Sequence, residues 1–157
     1  MKFAGEIELG AGREAVFDRL KNAAFFASCI DGVHDFQEID PTHYAAVMET
    51  KIAFLTFKFK IGVEVLNSDR PNKIEARIEG TPLGIVGRLT ANSVARLTEQ
   101  SGATKVSYEI DASLTGKLGG IGQPVLRSKA KEMERHFAER LRAAFGAKPV
   151  DLTRQAQ

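Results

Sequence analysis

The sequence predicts an α+β domain in which a six- to seven-stranded, curved antiparallel sheet wraps around one long C-terminal helix. Three observations carry this. Between Gly32 and Thr115 the apolar residues recur with a period of two, the spacing of strands that bury one face. Over residues 118–145 the period becomes 3.6, with apolar residues mostly four apart. No linker and no internal repeat interrupts the chain, so one core serves all of it.

The elements follow in order. Residues 2–9 alternate, with Phe3, Ile7 and Leu9 opposite Glu6 and Glu8, and Gly10-Ala11-Gly12 ends that strand. Residues 13–21 have helical spacing through Val16, Phe17 and Leu20, and residues 23–30 form a second short helical segment. Residues 33–39 read as a strand closed by Asp40-Pro41. Residues 42–52 place Tyr44, Ala46 and Met48 on one face, and residues 56–66 place Phe57, Phe59, Ile61, Val63 and Val65 together. After a turn at 67–72, residues 73–80 put Ile74, Ala76 and Ile78 inward. Residues 88–98 and 104–115 pair through Gln100-Ser101-Gly102, with Val106, Tyr108, Ile110, Ala112 and Leu114 sharing a face.

The final helix carries the stripe Ile121, Val125, Leu126, Met133, Phe137, Leu141 and Phe145, with Arg127, Lys131, Glu134, Arg135 and Arg142 assigned to the opposite side. A helix of about 22 residues is roughly 33 Å long, enough to cross the sheet. Gly146 is expected to end it, with Lys148-Pro149 supporting the stop. The organisation is then one domain over residues 1–146 and a loose tail over 147–157.

Composition narrows the function. At 43% hydrophobic and 27% charged the chain is an ordinary globular protein, and a formal net charge of +2 is too small to argue for nucleic acid. Cys29 is the only cysteine, which suits a reducing compartment and excludes an internal disulfide. The charged, alternating start is no signal peptide, and no run spans a bilayer, so a cytoplasmic location is expected.

A half-barrel around a single helix of roughly 10 Å diameter leaves space inside. Many inward residues are small, among them Ala46, Thr50, Ala76, Gly80, Ala91, Ser93, Ala95 and Ala112. Either they let the helix approach closely or they leave an apolar cavity. The cavity reading names Tyr44, Met48, Phe59, Ile61, Ile78, Tyr108, Ile110, Met133 and Phe137 as ligand-binding residues.

Several pieces, taken in order, resemble one family: Met1-Lys2-Phe3-Ala4-Gly5-Glu6-Ile7, Cys29-Ile30-Asp31-Gly32-Val33, Lys58-Phe59-Lys60-Ile61 and above all Thr115-Gly116-Lys117-Leu118-Gly119-Gly120-Ile121-Gly122. The chain resembles the G-subunit family of carbon monoxide dehydrogenase, within the START-like, helix-grip (SRPBCC) superfamily, from Met1 to about Phe145. That resemblance implies a non-catalytic binding or carrier protein for a lipidic or quinone-like molecule. It also implies a molybdenum hydroxylase as partner and recruitment to the inner face of the cytoplasmic membrane. Some members continue into a proline-rich tail with a membrane helix. Nothing amphipathic follows Phe145 here. The alternatives are a cyclase- or dehydratase-type enzyme of the same superfamily, or a docking and assembly factor.

Other constellations are weak. Gly116-x-x-Gly119-Gly120-x-Gly122 lacks the Gly-Lys-Ser/Thr ending of a phosphate loop and follows an antiparallel strand. His34, His43 and His136 lie on different elements without ligand spacing, so no metal and no cofactor is expected. Cys29, in an apolar stretch, reads as a buried inert thiol. The turn Ile52-Ala53-Phe54-Leu55 is apolar where turns are normally polar, and so is Pro82-Leu83-Gly84-Ile85-Val86. With Lys51, Lys58, Lys60 and Arg88 beside them, Phe54, Leu55 and Ile85 are candidate contacts to an anionic membrane. The alternative is a lid over the core.

Overall fold

The computed structural model describes residues 1–145. Its seven strands form one antiparallel sheet: β1 (Lys2–Leu9), β2 (Val33–Asp40), β3 (His43–Ile52), β4 (Leu55–Asp69), β5 (Lys73–Pro82), β6 (Gly87–Gln100) and β7 (Ala103–Gly116). The order is β1-β7-β6-β5-β4-β3-β2, so β2 to β7 make a continuous meander and β1 closes onto β7. Because β1 and β2 lie at opposite edges, the chain between them must pass from one side of the sheet to the other. That passage is two short helices, α1 (Arg13–Lys21) and α2 (Ala23–Ser28). Asn22 makes the bend between them. Its backbone N–H donates to the α1 carbonyls of Asp18 and Arg19, while its side chain accepts from the Phe25 N–H at 3.0 Å and caps α2.

The long helix, α3, runs from Gln123 to Phe145. This is shorter than the expected start near residue 118. The segment Lys117–Gly120 is instead a single 3-10 turn. Gly116, Gly119, Gly120 and Gly122 make an α-helix expensive there, and Pro124 suits a first helical turn. Leu118 on that turn is 1% exposed and seats against Gly87 of β6, where a Cβ would come within 3.1 Å of its Cγ. The stop at Gly146 and the tail at 147–157 lie outside the described residues.

The fully packed core occupies one end of the molecule. Ile7 and Leu9 of β1, Leu97 of β6 and Val106 of β7 meet Val16, Phe17 and Leu20 of α1, Cys29, and Ala138 and Leu141 of α3. The one buried polar residue among the described residues, Thr104, is satisfied by donating its hydroxyl to the Ala11 carbonyl at 2.7 Å. Cys29 is buried as expected, and burial pushes its thiol pKa up.

Only the C-terminal half of α3 reaches this core: Ala138 and Leu141 are buried, whereas Val125 near the other end is exposed. Leu141→Ala should therefore cost about 2–5 kcal/mol in urea unfolding. Val125→Ala should cost less than about 0.5 kcal/mol, as an exposed substitution does. Equal losses would mean that the helix is packed along its whole length.

Candidate functional site

Register places the inward side chains in rows across the sheet. Met48 faces Phe59, which faces Pro82. Ala46 faces Ile61, which faces Gly80, and Val63 faces Ile78, which faces Ala91. Ser93 faces Ile110, which faces Phe3, and Ala95 faces Tyr108, which faces Gly5. All the sheet residues singled out from the sequence are therefore on one face. Met133 and Phe137 of α3 are half-buried; the Phe137 ring lies 5.0 Å from Phe26 of α2.

These rows are not sealed. Ile7 and Leu97, in the packed end, are each 2% exposed. Ala46, Met48, Ile61, Ile78 and Ile110 are only half-buried, and so are Ala130, Met133 and Phe137 on the helix. Apolar side chains on facing elements that stay open to water mark a gap between them. An open hollow of about 400 Å³ beside the start of α3 is lined by Ala112, Leu114, Leu118, Ile121 and Leu126 together with the polar Asp111, Ser113 and Gln123. A second hollow, of about 430 Å³, lies over the outer-face residues Ala4, Glu6, Arg96, Ser107 and Glu109 and is also bordered by Gly5 and Tyr108. Neither hollow is bordered by Met48, Phe59, Ile61 or Ile78.

Two of the named residues are already engaged. Phe59 is buried. Tyr44 is buried, stacks on Phe36 and donates its hydroxyl to the Pro41 carbonyl at 2.6 Å, so that hydroxyl closes the β2–β3 turn rather than facing a ligand. Burial, helped by the charges of Glu38 and Asp40, pushes its pKa up. The Ser93 hydroxyl reaches the Ala76 carbonyl at 3.4 Å. Tyr108 differs: its hydroxyl has no hydrogen-bond partner among the described residues.

Beside Tyr108 stands Glu134, which the sequence pattern assigns to the outer side of α3 and the structure does not. Glu134 lies seven residues before the buried Leu141, which at 3.6 residues per turn puts it only about 20° away around the helix. The helix therefore turns Glu134 toward β1, where Gly5 admits it. A Cβ on Gly5 would collide with Glu134 Oε2 and lie 2.5 Å from the Tyr108 hydroxyl. Glu134 is half-buried and makes no ion pair among the described residues. The inward spacing to Leu141 is the available signal, and the residue's charge points the other way.

The histidines are also less scattered than expected, since each pairs with carboxylates. His34 meets Asp35 and Glu49, and His43 meets Asp40 and Glu64. His136 meets Asp31, which Arg140 also holds, with Arg140 reaching the Cys29 carbonyl at 3.4 Å. This last cluster ties α3 to the α2–β2 loop. Gly32 in that loop has φ +80° and lies against the Glu49 carbonyl, a place no Cβ fits. No group of three metal-ligating side chains occurs among the described residues.

The two ends of the sheet differ in chemistry. In a meander successive turns alternate ends, so the β3–β4 and β5–β6 turns fall together with the end of β7. The Leu83 N–H donates to the Lys58 carbonyl and the Lys117 N–H to the Val86 carbonyl, both at 2.8 Å, which joins these tips. Here Phe54 is 94% exposed, Val86 77% and Leu55 64%, with Ile85 also exposed. Phe54 does not fold back as a lid. At the other end the turns carry Asp40, Asp69, Asn72 and Ser101.

The sheet, the gripping helix and the open apolar space between them are those of a START-like ligand-binding or carrier fold. A START superfamily protein from Mycobacterium smegmatis superposes with a TM-score of 0.70 at 11% identity, over 92% of this chain and 96% of that one. The di-domain ARO/CYC BexL from the BE-7585A biosynthetic pathway shares the fold, with a TM-score of 0.59 at 18% identity over 95% of this chain and 51% of that one. A conserved protein from Geobacillus kaustophilus gives 0.83 at 26% identity, over 92% and 94%. A comparison with proteins of curated function returned no match. The profile of the CoxG family, the G subunit of carbon monoxide dehydrogenase, matches residues 5–146. The chain belongs to that family.

The Asp31 cluster is testable through pH. Hydrogen bonds from His136, then Arg140, hold the Asp31 carboxyl below its ordinary range. A depressed carboxylate stabilises the fold above its ordinary range and loses that contribution as pH falls through its folded value. Asp31→Asn should lower the urea midpoint at pH 7, and the difference from wild type should shrink as pH drops below about 4. A constant difference would show that the carboxylate's charge is irrelevant.

Proposed function

We propose that this protein is a non-catalytic carrier that holds a lipidic or quinone-like molecule between the sheet and α3. In this reading it works at the cytoplasmic membrane face in partnership with a molybdenum hydroxylase of the carbon monoxide dehydrogenase type. The observation that carries the proposal is the half-buried apolar face of the sheet opposite a half-buried helix. Fully burying a Met, Ile or Phe side chain stabilises by about 1.5–3 kcal/mol. Much of that gain is unrealised here and is available to an apolar ligand. The enzyme partner rests on family membership.

Uptake from a bilayer fits the turn chemistry. Ala53 sits at φ +56° in a two-residue turn where Gly or Asn is preferred, and the turn leaves Phe54 projecting. No described helix is long and apolar enough to cross a membrane, so contact would be peripheral. Lys58 and Arg88 pair with Glu49 and Glu79, leaving Lys51, Lys60 and Lys117 without an ion pair among the described residues. Each such cation near an anionic surface adds about 1 kcal/mol.

Native mass spectrometry of the purified protein, followed by solvent extraction, should reveal a co-purifying prenylated ring; a preparation with no apolar ligand that also binds none when offered it overturns the carrier reading. Flotation with vesicles rich in anionic lipid should recover the wild type, and Phe54→Asp and Ile85→Asp should each reduce recovery several-fold. Unchanged recovery in both variants would remove the turns from the membrane step.

A further inference from the structure

The open space is mostly apolar, with the hydroxyls of Thr50 and Ser93 on the sheet face and one place where a carboxylate and a phenol come together. Where α3 crosses β1, the Glu134 carboxylate and the Tyr108 hydroxyl stand over Gly5, on the same inward face as Ile110 and Ala95, and neither has a hydrogen-bond partner among the described residues. A glycine makes the approach feasible, since any side chain at position 5 would occupy the space of both groups. The core closes immediately beyond, at Ala138 and Leu141 one and two turns further along the helix. The pair thus marks the inner end of the gap, at the border between open and packed regions.

We propose that Tyr108 and Glu134 form the polar end of the ligand site and select molecules that present a hydroxyl group there. This rests on the carrier reading and names the chemistry of its ligand. The reasoning is one of satisfaction. A ligand that fills the gap removes water from around both groups. A pure hydrocarbon would leave a carboxylate desolvated and unpaired, which is unfavourable. An ionised carboxylate accepts hydrogen bonds only, so a ligand whose oxygen takes the Tyr108 hydrogen bond must itself donate to Glu134 if both groups are to be satisfied. A carbonyl or ether oxygen can accept from Tyr108 and offers nothing to Glu134. An alcohol, phenol or hydroquinone does both: its oxygen accepts from the tyrosine hydroxyl and its hydrogen goes to the carboxylate. For a ring with two redox states, the site favours the reduced, hydroxylated one over the carbonyl form.

Matched aromatic probes test this on the full chain by calorimetric titration at neutral pH. 2-Naphthol carries the hydroxyl, and 2-methoxynaphthalene has the same ring with the donor removed. Wild type should bind 2-naphthol about tenfold more tightly, as expected for a hydrogen bond to a charged group. Glu134→Gln should cut that preference to about threefold or less while keeping wild-type affinity for the methyl ether, whereas Tyr108→Phe, which removes a donor that either oxygen can use, should weaken both probes several-fold. The affinity retained by Glu134→Gln shows that the gap is intact. Equal affinity of wild type for both probes, or full preference in Glu134→Gln, overturns the hydroxyl selection and leaves the carrier reading standing. Failure of wild type to bind either probe overturns both.

Discussion

A single helix about 10 Å across cannot cover the concave face of a seven-stranded sheet. Every other feature of this molecule follows from how that shortfall is distributed. The uncovered area is not spread evenly. The short helices α1 and α2 are confined to one end by the need to carry the chain from the β1 edge to the β2 edge. At that end three helices meet the sheet and the packing is complete. At the other end α3 is joined only by the 3-10 turn that seats Leu118, and much of the inner face stays accessible to water.

That asymmetry assigns different work to the two halves of α3. Its C-terminal half is held by burial of Leu141 and by the Asp31 cluster with His136 and Arg140. Its N-terminal half is held more lightly, by Arg127, whose guanidinium donates to the Lys2 carbonyl at 3.1 Å and lies over the Phe3 ring. An exposed contact of this kind contributes little, so opening of this half is the cheaper motion. The apolar turns sit at this same lightly held end, and Glu134 faces inward between the two halves.

Much of this is legible in the residues. Period-two alternation in β3 to β7 locates the inward face correctly, because strands that bury one side must alternate. The apolar turns stand out because turn chemistry is normally polar. Three things are hidden. The glycines at 116–122 mask a 3-10 turn within a run that reads as continuous helix. The Tyr44 hydroxyl looks available until the turn at Pro41 places a carbonyl within reach. Glu134 sorts with the outer face by its charge, although its position on the helix belongs with Leu141; only the opposing glycine in β1 makes a carboxylate tolerable there, and that pairing is a tertiary fact.

The central claim is that room for a ligand exists between the sheet and α3, and filling that room tests it most directly. Ala46 lies on the open part of the inner face beside Ile61. If the space is real, Ala46→Phe should fold with stability equal to or above wild type, because the added ring buries against existing apolar side chains, and it should lose apolar-ligand binding at least tenfold. If the space is not there, the same substitution overpacks the interior and costs about 1–3 kcal/mol. A destabilised variant, or a stable one that binds as wild type does, would contradict the account.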